Sequence, residues 1–230
     1  MSNTPLIRVP EFILHNHVEN LINFLRLDYT DNVADTTQSY LYKLCHGQEF
    51  QRYKYFEQCK EIFIDRILGD PKFLDVDLMF NITRDTPPTI HVTCPSEVPG
   101  QNGIGNDEGY LDNEVFIGAD TYTYTAGAYT RRYKGTYDLV IVADNSNECV
   151  AIYHVLKALI VATLSHLTLS GLENIQVNGN DLTPYAESMP KTMYMRTLRL
   201  NLEYESSTLS INKILHPTSI IPNGIPSSTT

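Results

Sequence analysis

One segment, residues 120–206, constrains the fold more than any other part of this chain. It predicts a long strand, then a long apolar helix, then two further strands. The first strand, Ala128–Val142, would span roughly 50 Å at about 3.3 Å per residue, although most strands have only five or six residues. The edge of so long a strand exposes unpaired main-chain donors and acceptors, which a second copy of the same chain can cover. The segment therefore favours a building block of an assembly over an enzyme.

Composition and charge limit the class of protein. The chain has 230 residues, of which 42% are hydrophobic, and this is enough for a sizeable core. Its formal net charge of −10 argues against tight, sequence-independent binding of nucleic acid. Because no pair of cysteines has metal-binding or redox-motif spacing, we predict reduced and mostly buried thiols at Cys45, Cys59, Cys94 and Cys149.

Two segments bear on localisation. The first twenty residues have no basic stretch followed by a continuous apolar run, so we expect no secretory signal and a protein that stays in the cytosol. Residues 149–169 are apolar enough to resemble a membrane span, but Lys157 lies in the middle and His154 and His166 interrupt the run. We expect a buried helix of a protein with no membrane contact.

The first 70 residues predict an N-terminal helical segment. Apolar residues spaced near 3.6 predict a helix over Glu11–Leu27. Asp35 or Thr36 is expected to cap a second helical stretch. A third helix is predicted over 49–68.

Residues 71–210 predict an α+β core. Strands are expected at 73–82 and 89–94, followed by an exposed, mobile acidic loop at 95–120 and a hairpin turn at Gly127. In the long strand, Tyr129, Tyr133 and Tyr137 share one packed face, and the alternate residues form a wet face. Asn145 or Ser146 is expected to cap the apolar helix, which needs a second partner on its back. Strands at 171–182 and 193–206 and an irregular arm at 211–230 complete the chain.

The predicted fold class is therefore α+β, with a mostly antiparallel sheet whose long strands pack on a long apolar helix, plus N-terminal helices and extended arms.

Candidate metal ligands and catalytic residues are weak. His91 with Cys94, and His15 with His17, have the spacing of a metal pair, but neither has a second pair at zinc-finger spacing. We predict no metal site, no cofactor and no catalytic residue.

Three further patterns have a structural reading beside the chemical one. Asp75 and Asp77 could hold Mg²⁺ in a nuclease, but an exposed strand face has the same spacing and is favoured. Ser165 and His166 are adjacent on a helix and point in different directions, so a core histidine is expected. No phosphate-binding or hydrolase motif occurs in the chain.

The basic cluster, Arg131, Arg132 and Lys134, lies among the tyrosines of the long strand. It could neutralise nucleic acid, or it could face the acidic loop of a neighbouring subunit, which is favoured in so acidic a chain. The predicted interface between subunits consists of Tyr129, Arg131, Arg132, Tyr133, Lys134 and Tyr137.

The segment from Tyr122 to Glu205 contains the strand YTRRYKGTYDLVIVAD, the apolar helix, and the strands LENIQVNGNDLTPY and YMRTLRLNLEYES. In element order it resembles the head-to-tail connector proteins of tailed bacteriophages, and among them the tail-terminator-like neck proteins. The resemblance implies a small α+β fold whose copies join their sheets into a ring around a DNA channel. The N-terminal helices and the acidic loop lie outside it and fit insertions of a large phage such as the crAss-like group.

What the resemblance implies about function is assembly without catalysis. The expected form is a homo-oligomer of six or twelve copies in the virion, assembled in the host cytoplasm. Its partners would be the portal or adaptor and the tail proteins, and DNA would pass through the channel without tight binding. Two alternatives are a phage-encoded metal-dependent nuclease or hydrolase, which needs a third acidic ligand beside Asp75 and Asp77, and an acidic regulatory DNA-binding protein, which needs an exposed basic cluster.

Overall fold

A computed structural model describes residues 7–50, 53–78, 88–100, 109–117, 120–182 and 193–209. The predicted arm at 211–230 lies outside these ranges. The protein is α+β, with several helices and a mixed sheet.

The first helix confirms its prediction. α1 spans Pro10–Asp31 and begins with proline at its first position, where the missing N–H is not needed. Its buried side contains Val18, Leu21, Ile22 and Leu25 of the predicted stripe together with Leu14, whereas Phe12, also predicted in the stripe, is 55% exposed. Asp35 caps a short 3₁₀ turn, Thr36–Gln38. The helix that carries Tyr40, Leu41 and Leu44 is α2, Tyr40–Cys45, and its cap is Ser39, not Asp35 or Thr36 as predicted.

The third predicted helix, 49–68, is wrong at both ends. Residues Glu49–Phe50 (β1) and Tyr53–Lys54 (β2) form a small antiparallel hairpin in which Phe50 opposes Tyr53. Only α3, Tyr55–Lys60, and a π-helical turn, Glu61–Asp65, are helical. Aromatic residues favour strands, and pairing across the short loop outweighs their helical spacing.

The main sheet contains six strands. Its order is β3-β4-β6-β8-β7, and β5 pairs with β6 away from this path. β3 and β4 are parallel, whereas β4 with β6, β5 with β6, and β7 with β8 are antiparallel. The strands span Asp75–Leu78 (β3), Thr89–Pro99 (β4), Gly109–Ile117 (β5), Asp120–Ala143 (β6), Leu172–Leu182 (β7) and Tyr194–Leu209 (β8).

Two predictions between β4 and β6 are corrected. The acidic loop at 95–120 is largely strand, because β4 continues to Pro99 and β5 covers 109–117; residues 101–108 lie outside the described ranges. The turn expected at Gly127 is absent, since Gly127 opposes Tyr110 within the continuous strand β6. A glycine inside a strand costs stability but does not end the strand when both neighbours remain paired.

The long strand exists and is longer than predicted, with 24 residues. Tyr137, Leu139 and Ile141 are fully buried on the predicted packed face. Asp138 and Val140 are buried too, at 7% and 5% exposure, so the predicted wet face is wrong for Asp138. Both faces of the strand are covered over this stretch.

The apolar helix is divided in two. α4 spans Ser146–Ala162, and α5, Leu164–Leu169, follows after a break at Thr163. Asn145 caps α4 by accepting a hydrogen bond from the main chain of Asn147, which confirms that prediction. His154, Lys157 and Val161 form an exposed stripe along α4. Within the described ranges, no helix is both long and apolar enough to cross a membrane.

The chain divides into two compact units. The larger contains Val9–Gly100 and Tyr133–Tyr204, and the smaller contains 1–8, 101–132 and 205–230. The boundary predicted at residue 70 falls inside the larger unit, because the N-terminal helices share one core with the sheet. β6 and β8 each contribute residues to both units.

Candidate interaction surface

A ladder of polar side chains joins β6 to β8 and forms the candidate surface. Lys134 Nζ lies 2.7 Å from Glu203, Thr136 donates to Asn201 over 3.0 Å, and Arg199 donates twice to Asp138 over 2.8 Å. Each step of two along β6 is matched by a step of two backwards along β8, as in directly opposed residues of antiparallel strands. In the smaller unit the same register pairs Arg132 with Glu205 at 3.2 Å.

The order of charges along β6 and β8 is a signal in the sequence for this ladder. Alternate residues of β6 read Arg132, Lys134, Thr136 and Asp138, which is positive, positive, neutral and negative. Alternate residues of β8 read backwards give Glu205, Glu203, Asn201 and Arg199, which is negative, negative, neutral and positive. Complementary charges directly across a strand pair stabilise that pairing, so the two patterns predict both partner and register.

A shallow groove of about 770 Å³ runs across this polar face in the larger unit. Its central row carries neutral hydrogen-bonding groups, since Ser96 opposes Thr136 and Gln176 opposes Asn201. Val98, which is 54% exposed, adds an exposed apolar side chain opposite Lys134. The groove therefore offers donors and acceptors at fixed strand spacing, which suits recognition of another main chain or polar surface.

The predicted tyrosine face is split by the structure. The Tyr133 ring stacks on Tyr204 with centroids 5.5 Å apart, so it packs between two strands of one chain. Tyr137 is completely buried and therefore presents no surface to a second subunit. The side chain of Tyr129 lies outside the described residues.

A carboxylate that the sequence did not single out organises these tyrosines. Glu97, on β4, accepts hydrogen bonds from Tyr204 at 2.6 Å and from Tyr137 at 3.3 Å. Burial raises the pKa of both hydroxyls, and the nearby Glu97 carboxylate adds to the rise at Tyr204. Both hydroxyls therefore stay protonated and donate to Glu97. These hydrogen bonds fix the positions of the two rings and connect β4 to β6 and β8.

The basic cluster is paired differently from its prediction. Arg132 and Lys134 form ion pairs with Glu205 and Glu203 of the same chain, so a neighbouring subunit is not needed to neutralise them. Arg131 is exposed on β6. A contact of Arg131 with a second chain stays a prediction.

The histidine and cysteine pairs have structural roles. His15 bonds the Val76 carbonyl over 3.0 Å, and His17 bonds the Thr163 hydroxyl over 2.9 Å. His91 is fully buried in β4, whereas the Cys94 thiol donates to the Ser96 carbonyl. Within the described ranges no three histidine, cysteine or acidic residues cluster as metal ligands would. All four cysteines are free thiols, and three are buried, as predicted.

The remaining candidate residues lie at the surface. Asp75 is exposed at the start of β3, and its carboxylate accepts from the Val76 main chain, as the structural reading favoured. No third acidic ligand joins Asp75 and Asp77 among the described residues. Ser165 and His166 are both exposed on α5, so the expectation of a core histidine is wrong.

Neither the family models nor the curated proteins contain a match to this chain.

Proposed function

We propose that this chain is a structural subunit of a ring in the head-to-tail junction of a tailed phage. The ring contains six or twelve copies, joins portal or adaptor to tail, and encloses the DNA channel. The observation that carries the proposal is the length of β6 and β8, which have 24 and 16 residues. Both strands contribute to two compact units. They lie inside the sheet, and among the described strands β3 and β7, at the two ends of the sheet order, supply the main-chain edges through which copies add to one another.

The proposed core is a sheet with long strands packed on a long apolar helix. Three contacts support it: Tyr153 of α4 lies against Gly179 of β7, the Arg196 guanidinium of β8 lies 5.3 Å from the Tyr153 ring, and the Cys149 thiol donates to Ile141 of β6. Helix and sheet thereby fix each other.

The test is the particle mass in solution by light scattering and native mass spectrometry, with ring symmetry from negative-stain images. We expect a closed ring. A monodisperse monomer at high concentration, both alone and in the assembled particle, contradicts the proposal.

A matched pair of variants tests where copies meet. Arg131→Glu places a negative charge on the exposed part of β6, and we expect a smaller or open assembly because repulsion now acts at a repeated contact. Lys72→Glu makes the same charge change at an exposed turn between Asp70 and Phe73 and should leave the ring intact. If both variants change the assembly to the same extent, the contact between copies does not involve Arg131.

A further inference from the structure

The strand β7, at one end of the main sheet, has an open main-chain edge. Among the described strands it pairs only with β8, and its regular stretch begins at Gln176, after an irregularity in the register. From Gln176 to Asn180 the strand contains no charged residue and no proline. Charges and prolines are common devices that keep an edge strand from pairing with another chain. This stretch of β7 is therefore suited to strand addition.

The edge of β3, at the other end of the sheet, is occupied by side chains of the same chain. The main-chain N–H of Asp75 bonds the Pro88 carbonyl on the side of β4, so the main-chain groups of the next residue, Val76, face away from β4. The Val76 N–H donates to the Asp75 carboxylate over 2.9 Å, and His15 Nε2 bonds the Val76 carbonyl over 3.0 Å. These two side chains stand in for the main chain of a further strand.

An open groove of about 460 Å³ borders β3. Leu74, Asp75 and Val76 form part of its wall. Ile67 and Leu68 lie in the same wall and are 68% and 85% exposed. Exposed aliphatic side chains beside a strand edge are typical of a surface that a partner covers. The groove therefore gives an incoming strand access to β3.

The order of the sheet fixes the direction in which two copies can join. β3 is parallel to β4, and β4 is antiparallel to β6. The polar ladder pairs β6 antiparallel with β8, which is antiparallel to β7. β7 therefore runs opposite to β3. When a second copy in the same orientation places its β7 beside β3, the new pair is antiparallel, which is the more stable arrangement.

We propose that β7 of one copy adds to the edge of β3 in the next copy, a contact that rests on the proposed ring and joins its members. Val177 lies opposite Val76 in this pair. Both valines contact the hydrophobic core of their own chain, so the pairing continues the core from one copy to the next. The sheet then runs without interruption through the contact.

The charges on the other face of the two strands are complementary in this register. The exposed Asn178 lies opposite Asp75, and the exposed Gln176 lies opposite Asp77. Each carboxamide can donate a hydrogen bond to the carboxylate across from it, and no like charges are opposed.

Strand addition exchanges the partners of Val76 without leaving a main-chain group unpaired. Its N–H passes from the Asp75 carboxylate to a carbonyl of β7, and its carbonyl passes from His15 to an N–H of β7. The exchange frees the Asp75 carboxylate to accept from Asn178. In a copy without a neighbour, Asp75 and His15 keep the edge of β3 satisfied.

Disulfide trapping in the full chain tests the contact. Asp77→Cys and Gln176→Cys are combined in one chain, which is oxidised with copper phenanthroline and separated without reductant. Within one chain β3 and β7 are four strand spacings apart, roughly 19 Å, whereas a disulfide needs Cα atoms within about 7 Å. Only two different chains can therefore form this link. We expect a ladder of linked chains, with positions 77 and 176 joined in the peptide map.

The outcomes separate this contact from the ring itself. Absence of a 77–176 disulfide, beside an unmodified protein that forms closed rings, overturns the contact and leaves the ring standing. Gln176→Cys alone links only copies that meet β7 to β7, so equally efficient trapping in this single variant also overturns the contact. A 77–176 ladder that extends past twelve copies supports the contact and contradicts the ring. A monomer that forms no link contradicts both.

A charge variant tests the register. Gln176→Glu places a carboxylate opposite Asp77, and we expect the concentration at half assembly to rise by up to about fivefold. Asp77→Asn in the same chain removes the repulsion and should restore assembly. Asn20→Asp makes the same charge change at an exposed position of α1 and should have no effect. A Gln176→Glu variant that assembles normally, or one that Asp77→Asn does not restore, overturns the register.

Discussion

At the scale of single residues, the polar ladder is uneven in strength. The side chain of Asp138 is 9% exposed and receives both hydrogen bonds of a two-pronged contact from Arg199. Lys134 is 52% exposed, and water screens its pair with Glu203. Removing the arginine leaves a buried carboxylate without its counter-charge, whereas removing the lysine leaves Glu203, which is 15% exposed, with its hydrogen bond from Asn174.

We therefore expect Arg199→Gln to lower the free energy of unfolding by about 1–2 kcal/mol, below the full cost of breaking a buried pair because Arg199 is partly exposed. Lys134→Gln, one rung away, should cost at most about 1 kcal/mol. Urea unfolding followed by circular dichroism measures both. Equal losses of unfolding free energy in the two variants would mean that burial of the ion pair does not determine how much it stabilises the fold.

His17 predicts a pH dependence of stability. The Thr163 hydroxyl donates to the Leu159 carbonyl, so the neutral His17 ring donates to Thr163 from Nε2. Burial, and then the nearby His166, lower the pKa of His17 in the folded state. The unfolded chain therefore binds more protons at mildly acidic pH. The stability from neutral His17 is present above the ordinary value of 6.5 and lost as pH falls through the lower folded value.

Urea unfolding at about pH 7.5 and about pH 5.5 measures this loss. His17→Gln keeps an N–H donor and removes the titration, so its stability should change less between the two conditions. A variant with the same pH dependence as the unmodified protein would assign the effect to other groups.

At the scale of elements, one close approach locks α4 to β7. A Cβ added at Gly179 would overlap the Tyr153 hydroxyl oxygen, so any side chain there must displace the ring. Tyr153 is 8% exposed and has little room to move.

We expect Gly179→Ala to cost about 1–3 kcal/mol through overpacking. Adding Tyr153→Phe removes the clashing hydroxyl and should recover part of that loss, while Tyr153→Phe alone is the control. Thermal unfolding of all three variants gives the coupling between the sites. If the stability changes of the two single variants add up exactly in the double variant, the Tyr153 hydroxyl does not pack against β7 at Gly179.

At the scale of the whole molecule, charge predicts weak binding of DNA. The net charge is −10, and Arg132 and Lys134 already have acidic partners within the chain. Phosphate neutralisation drives sequence-independent binding, so few free cations mean low affinity. Fluorescence anisotropy with duplex DNA at about 150 mM salt should detect at most weak binding. Submicromolar binding that vanishes when Arg131, Arg132 and Lys134 become serine would favour the DNA-binding alternative.

The sequence by itself determined the elements with strong periodicity. The 3.6 spacing of α1, the cap of α4 at Asn145 and the alternation of β8 all reappear in the structure. These features are local, because a period of hydrophobic residues or a capping side chain acts within a few residues of itself. The order of charges along β6 and β8 also indicates that these strands pair. The signal is seen only when the two segments, far apart in the sequence, are compared.

Tertiary structure alone decided the rest. Residues 49–54 have helical spacing yet form a hairpin, and Gly127 has the chemistry of a turn yet lies inside β6, because pairing with other segments outweighs local preference. The burial of Asp138 and Tyr137 and the hydrogen bonds of Glu97 depend on residues far apart in the chain. Such contacts follow from how whole elements pack, and no local pattern specifies that packing.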